Sequence, residues 1–375
     1  MKSFKYKGGQ LELPFFFPDA TQAVVRTLDT EDILATKTPG ILVNTYHLYT
    51  DLGKRVLKKF GGIKEFMGWS GAVISDSGGF QVMSLAKSHK GKVDDEGVSF
   101  NLTKKKRIKL TPEKSIEFQM LLKPDMAVVL DDFTMPKASF KQAKETVDRT
   151  VLWAKKSKDE FERLCQKEGL DKEKRPYILA VVQGGDHLKL RKECAERLLE
   201  IGFDGYGYGG WPMTEEGKFN YQVAKRIARD IPDKYFLYGL GIGKPNEVVN
   251  LVNMGYDIFD CVLPTRDARH KRLYVYTAES IEKIDVQAEE FWKYYSPNKQ
   301  KHYHDDSPVS QACDCLLCRK YSRAYLNHLF KINDMTAQRL STIHNLRFYS
   351  ILMEKLRRWS GQWYSAMGIW LMLVG

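Results

Sequence analysis

Three aspartates, Asp76, Asp131 and Asp260, each close a short apolar run, in Ile74-Ser75-Asp76, Val129-Leu130-Asp131 and Ile258-Phe259-Asp260. Carboxylates gathered at one place support two kinds of chemistry. One acting as nucleophile and another as proton donor and acceptor can cleave a glycosidic bond through an oxocarbenium-like transition state. Alternatively, a carboxylate cluster binds a divalent cation. The first apolar run ends in Pro18-Asp19-Ala20-Thr21 with no paired histidines, which counts against metal-dependent hydrolysis. A second group, Cys313, Cys315 and Cys318, can turn three thiolates toward one point, with His344 beyond an amphipathic stretch. Three thiolates and one imidazole complete a closed tetrahedral zinc site, which leaves no position for water and is therefore structural. Incidental buried cysteines are the alternative, and His302, His304 and His328 are rival fourth ligands.

The aspartates are far apart in the chain, so the elements that carry them must converge. Eight apolar runs have strand length: Phe15 to Phe17, Ile41 to Val43, Ala72 to Ile74, Met126 to Leu130, Ile178 to Val182, Tyr206 to Tyr208, Phe236 to Tyr238 and Ile258 to Val262. Most are continuous rather than alternating, as strands buried on both faces are. Helix-like segments separate them. In one, Thr111 is placed to cap and Pro112 suits the first helical position. This order predicts an α/β chain folded as a (β/α)8 TIM barrel. Nearly every run ends in polar or glycine residues: Asn44, Ser75 to Gly79, Asp131-Asp132, Gln183-Gly184-Gly185, Gly209-Gly210, Gly241 to Gly243 and Asp260. The C-terminal strand ends are where barrel enzymes place their active sites. Alternation turns Cys261 away from the face that Asp260 takes. Cys165 and Cys194 fall in helical patterns as packing residues.

The expected organisation is a barrel core over 1–295, a zinc-binding subdomain over 296–350, and a C-terminal helix with an apolar tail over 351–375. The tail, Trp363 to Gly375, is too short to span a bilayer, and no long apolar stretch predicts a membrane segment. The N-terminus lacks the apolar core of a secretory signal, so a cytoplasmic, reducing location is expected for the six cysteines. A formal charge of +12, with the runs Lys104 to Arg107 and Arg266 to Arg272, favours a polyanionic partner. A solvated surface accounts equally well for the first run.

The motifs Ser75-Asp76-Ser77-Gly78-Gly79-Phe80-Gln81-Val82, Val182-Gln183-Gly184-Gly185, Phe259-Asp260-Cys261-Val262-Leu263-Pro264-Thr265-Arg266 and Tyr321-Ser322-Arg323-Ala324-Tyr325-Leu326, leading to His344-Asn345-Leu346, resemble the tRNA-guanine transglycosylase family. The resemblance runs in one order from about Gly9 to Tyr349. It implies exchange of guanine at the tRNA wobble position for a 7-deazaguanine, on the route to queuosine. It further implies that Asp260 is the nucleophile on the ribose and Asp76 the general acid/base. Asp131 would take the N–H edge of the purine, with Gln183 and the backbone at Gly209 and Gly210 reading its carbonyl side. Ser77, Asn44, Phe80 and Leu240 complete the implied substrate-binding set. Arg266, Arg269, Lys271 and Arg272 would contact tRNA phosphates. The family commonly forms a homodimer, which is therefore expected.

The sequence also departs from the family pattern. Phe133 stands where most bacterial members have Cys, Trp211-Pro212 replaces Leu-Ala, and Met213 fills a place where a smaller residue is common. A bulkier pocket wall is expected, which leaves open which deazaguanine is accepted. The rival readings are a DNA-directed enzyme with the same chemistry, a non-catalytic tRNA-binding partner subunit, and a metal-dependent barrel hydrolase.

Overall fold

The computed structural model describes residues 2–79, 91–103 and 106–373, with the side chains of 100, 102, 103, 106 and 359–373 excepted. Eight strands, Phe15–Pro18, Gly40–Asn44, Ala72–Asp76, Met126–Val128, Tyr177–Val182, Gly205–Tyr208, Phe236–Gly239 and Ile258–Cys261, form one parallel sheet. They are called the first to the eighth strand below. Each pairs with its successor from the second onward, and the eighth returns to the first with Asp260 opposite Phe17. The first and second meet through a bridge between Asp19 and Leu42, where the Ala20 N–H donates to the Leu42 carbonyl at 2.7 Å. The sheet is thus nearly closed into a barrel.

Alternation along the strands sorts their side chains into two cores. Phe15, Phe17, Ile74, Val128, Val181, Tyr238 and Ile258 fill the interior. Phe16, Val73, Ala180, Phe259 and Cys261 pack outward against the helices. Cys261 therefore points away from Asp260, as the period of two requires. Below the barrel, the hairpin Ser3–Tyr6 with Gly9–Glu12 sets Phe4 against Phe15 and Tyr177, at ring separations of 5.2 and 5.1 Å. The helix Pro112–Leu122 begins as its residues dictate, with the Thr111 hydroxyl accepting from the Lys114 N–H at 3.3 Å.

Two further features, besides that N-terminal hairpin, are absent from the sequence reading. A three-stranded antiparallel sheet, Lys92–Asp94, Gly97–Thr103 and Lys106–Leu110, is inserted after the third strand. Its apolar residues, Val98, Ile108 and Leu110 among them, alternate with polar ones and so escape a search for continuous runs. A hairpin of Leu273–Tyr276 with Trp292–Tyr295 follows the eighth strand. Lys104 and Lys105 of the first basic run, and Phe80, lie outside the described residues.

Beyond the hairpin come helices Leu316–Lys320, Arg323–Lys331 and Met335–Leu373. The last folds back on the barrel, with Tyr349 and Phe16 rings 4.3 Å apart. Among the described residues no helix is long and apolar enough to cross a membrane.

Candidate active site and metal centre

The barrel brings Asp76, Asp131 and Asp260 to one rim from its third, fourth and eighth strands. Asp76 ends its strand opposite Asn44, whose Nδ2 donates to Asp76 Oδ2 at 2.7 Å. Burial pushes the Asp76 carboxyl up to about 6, against the hydrogen bonds from Gly78, Asn44 and Ser77. Asp131 accepts from Gln183 Nε2 at 2.6 Å, and burial, with Asp76 and Asp132 nearby, pushes it up to about 7. Asp260 Oδ1 accepts from the Tyr238 hydroxyl at 2.8 Å and from the Gly241 N–H at 2.9 Å. Burial first, and then the charges of Asp76 and Asp19, raise it to about 7. Like charges thus meet in a poorly solvated space, where the hydrogen bonds that offset them come from neutral donors.

The neighbouring positions are equally constrained. Gln183 is fully buried, and its Oε1 accepts from the Thr134 N–H at 3.2 Å, which fixes the amide orientation. A Cβ at Gly209 would lie 2.7 Å from Gln183 Nε2, and Gly210 has φ +85, so neither position accepts a side chain without a shift. Ser77 is buried with its hydroxyl accepting from the Gly79 N–H at 3.2 Å. Leu240 packs against the interior core at the mouth. Phe133 joins a cluster with Tyr46, Val98 and Trp153, whereas Met213 packs on the outer core and Trp211 is half exposed. The three bulky substitutions thus fall in different surroundings.

The basic stretch is divided. Arg266 and Arg269 sit on the helix Leu263–Arg269, where Arg269 is repelled by Arg26 and Arg266 and Asp19 offsets part of that repulsion. Burial, followed by those like charges, lowers the Arg269 pKa, and its buried Nη1 has no hydrogen-bond partner among the described residues. Lys271 instead lies 5.8 Å from the Phe330 ring and Arg272 lies 5.1 Å from that of Tyr294.

Sequence reasoning missed Tyr238 and Asp19. Tyr238 faces inward on the strand beside Asp260, and an inward tyrosine one strand away from a rim carboxylate was the available signal. Asp19, the fourth rim carboxylate, has its Oδ1 engaged by the Thr21 N–H and hydroxyl.

The cysteine trio and His344 converge, with their ligand atoms within 4.8 Å of one another. Cys315 caps the helix Leu316–Lys320, so its Sγ and that of Cys318 meet on one side of a single turn. His344 Nδ1 lies 3.2 Å from Cys318 Sγ and 3.5 Å from Cys315 Sγ. Its Nε2 is 2.8 Å from the Tyr274 carbonyl, the outer contact that leaves Nδ1 free to ligate. This group can hold a metal ion. His302 is instead directed at Asp305, 3.4 Å away. The adjacent Asn345 takes the Tyr274 N–H at 3.1 Å and donates to the carbonyls of Pro264 and Arg272 at 2.9 and 3.1 Å. Through that pair the metal-binding group is tied to the segment following Asp260.

A profile of the family described as queuine tRNA-ribosyltransferase matches residues 1–359. A queuine tRNA-ribosyltransferase of Shewanella sp. (strain W3-18-1) is 38% identical over 351 residues, covering 93% of this chain and 87% of the relative. The protein of that name from Pasteurella multocida (strain Pm70) is 38% identical over 349 residues, covering 93% and 84% respectively. The chain belongs to the queuine tRNA-ribosyltransferase family of pentosyltransferases.

Proposed function

We propose that this enzyme exchanges guanine at the wobble position of tRNA for a 7-deazaguanine of the queuosine pathway by double displacement. The observation that carries the reading is the placing of Asp260 and Asp76 on one rim with the Asp131–Gln183 pair beside them. In the first displacement a carboxylate oxygen of Asp260 bonds to the ribose C1′ as the bond from C1′ to guanine N9 breaks. The departing base takes a proton from Asp76. In the second, Asp76 takes the N9 proton of the incoming base, whose nitrogen attacks C1′ and releases Asp260. Tyr238 and Gly241 donate to Asp260 and stabilise its ionised form, the form that attacks.

Asp131 accepts from the purine's N–H groups, while the remaining Gln183 N–H and the Gly210 N–H face its carbonyl. A base lacking those donors leaves a buried carboxylate unpaired and is rejected. Ser77 and Asn44 serve as pocket and ribose-side neighbours, and Leu240 and Phe80 belong to the substrate-binding set. Arg266 and Arg269 would contact phosphates beside the nucleophile, and Lys271 and Arg272 the same strand further out. The donor set of Cys313, Cys315, Cys318 and His344 suits zinc in a structural role. The protein would act as a homodimer, with the metal-binding subdomain contributing to the interface.

The test is incubation of the enzyme with labelled guanine and tRNA bearing a wobble guanine, beside duplex DNA. Incorporation into tRNA alone is expected; none, or equal labelling of DNA, overturns the reading.

A further inference from the structure

Arg191, on the helix Leu188–Ile201, takes no part in the chemistry above, yet it is 1% exposed. Its Nε donates to the Gly185 carbonyl at 2.8 Å, and its Nη1 to the carbonyls of Gly209, at 2.8 Å, and Val182. The guanidinium lies 5.2 Å from the Tyr208 ring centre. None of these partners is a carboxylate. Burial lowers the Arg191 pKa from its ordinary value, so holding a cation there is costly, and an apolar side chain of similar volume would avoid that penalty.

The acceptors explain what the charge secures. Val182 and Gly185 bracket Gln183, and Gly209 precedes Gly210, so the guanidinium joins the two segments that face the base. Gly184, Gly185 and Gly210 have φ +136, +56 and +85, conformations in which the strand ladder no longer fixes the chain. The Gly209 carbonyl and the Gly210 N–H belong to one planar trans peptide unit, in which they point in opposite directions. With the carbonyl held on Arg191, the N–H is turned away from the helix, and it has no acceptor among the described residues. A charged donor at the carbonyl also polarises the unit and strengthens its N–H as a donor.

We propose that Arg191 is a positioning residue for the exchanged base: it fixes the orientation of the Gly209–Gly210 peptide and its spacing from Gln183, so that both donors meet the purine carbonyl together. This inference rests on the reading of the site as a purine pocket. The planar fork is essential to it, because a lysine ammonium is a point charge that cannot span carbonyls from both segments in a fixed geometry.

The experiment compares wild type, Arg191→Lys and Arg191→Met in exchange assays that vary guanine and tRNA separately, with guanine affinity measured by calorimetry. In Arg191→Met the KM and Kd for guanine should rise about ten- to a hundredfold, the cost of misdirecting one hydrogen-bond donor. The rise in Arg191→Lys should be smaller, with the KM for tRNA and the kcat at saturating guanine within a few-fold of wild type. A folded Arg191→Met with unchanged guanine affinity overturns the proposal. So does a parallel rise in both KM values, which marks general loosening, or failure of both variants to fold, which marks a folding role. Wild-type enzyme that binds guanine through Arg191 but exchanges none would instead overturn the proposed function.

Discussion

The rim and the cysteine cluster both crowd like groups together, and they differ in what answers the charge. At the rim, Asp76, Asp131 and Asp260 face neutral donors, and their carboxyls stand at about 6, 7 and 7. In the cluster, three thiols and His344 converge within 4.8 Å, a geometry whose negative charge a bound cation cancels. On the proposed function, charge is left unbalanced where bonds would be made and broken, whereas the cysteine cluster could hold a cation that balances it. Arg347 is paired by Asp314 and Glu354 beside the cluster, whereas Arg269 near the rim has a buried Nη1 with no hydrogen-bond partner among the described residues.

The strongest way to break this comparison is at Asp260. Asp260→Asn should lower exchange at least about a thousandfold while leaving tRNA binding within a few-fold, because the lost group forms a bond and adds little to docking. A protein–tRNA adduct that survives denaturation should form only with Asp260 present. An adduct formed equally by the variant would remove Asp260 from the role of nucleophile.

Next in size is the cluster. Wild-type protein should carry one zinc per chain by elemental analysis, and Cys315→Ser should lose it with a fall in Tm of about 5–10 °C. Because Asn345 and His344 hold the segment from Pro264 to Tyr274, tRNA affinity should fall as well, with the rim chemistry retained at saturating tRNA. Fully stable, metal-free wild-type protein is the contrary result.

A smaller change concerns the pocket wall. Phe133 lies two residues beyond Asp131, so Phe133→Cys should alter the preference among deazaguanines by roughly ten- to a hundredfold and leave guanine exchange nearly unchanged. Met213→Gly should matter less, since Met213 packs on the outer core. Competition assays with guanine, the aminomethyl and cyano precursors and queuine provide the ranking. The same ranking in both variants would place the wall elsewhere.

The smallest effect is on stability, and its sign follows from the raised carboxyls. Asp76 stands at about 6 in the fold, above its ordinary value of 3.8, so it binds its proton more tightly folded than unfolded. Its contribution to stability is full below pH 3.8 and is lost as pH rises through about 6. Asp76→Asn should therefore stabilise the protein by up to about 3 kcal/mol at pH 8 relative to wild type, and this gain should vanish below about pH 3.8. Thermal melts across that range measure it. A gain that does not change with pH would show that the carboxylate charge is already compensated.

Much of this molecule was legible because its features are one-dimensional. Continuous apolar runs ending in Asp76, Asp131, Gln183 and Asp260 mark buried parallel strands and their C-terminal ends without knowledge of their partners. Cys313, Cys315 and Cys318 are close in the chain, and a single helical turn suffices to bring two of their sulfurs together. The alternating sheet over 92–110 was harder to see, since its apolar residues are spread among polar ones. Other features existed only once the barrel closed. Tyr238 reaches Asp260 because register sets it one strand away, and Asp19 adds its charge because the first strand lies beside the eighth. Arg191 meets Gly209 because a helix packs behind two strand ends, and no local pattern distinguishes it from the other cations of that helix. The raised carboxyls are the clearest case. An aspartate's type is a property of the sequence, but its proton affinity depends on the water removed and the charges brought near, and only tertiary packing determines those.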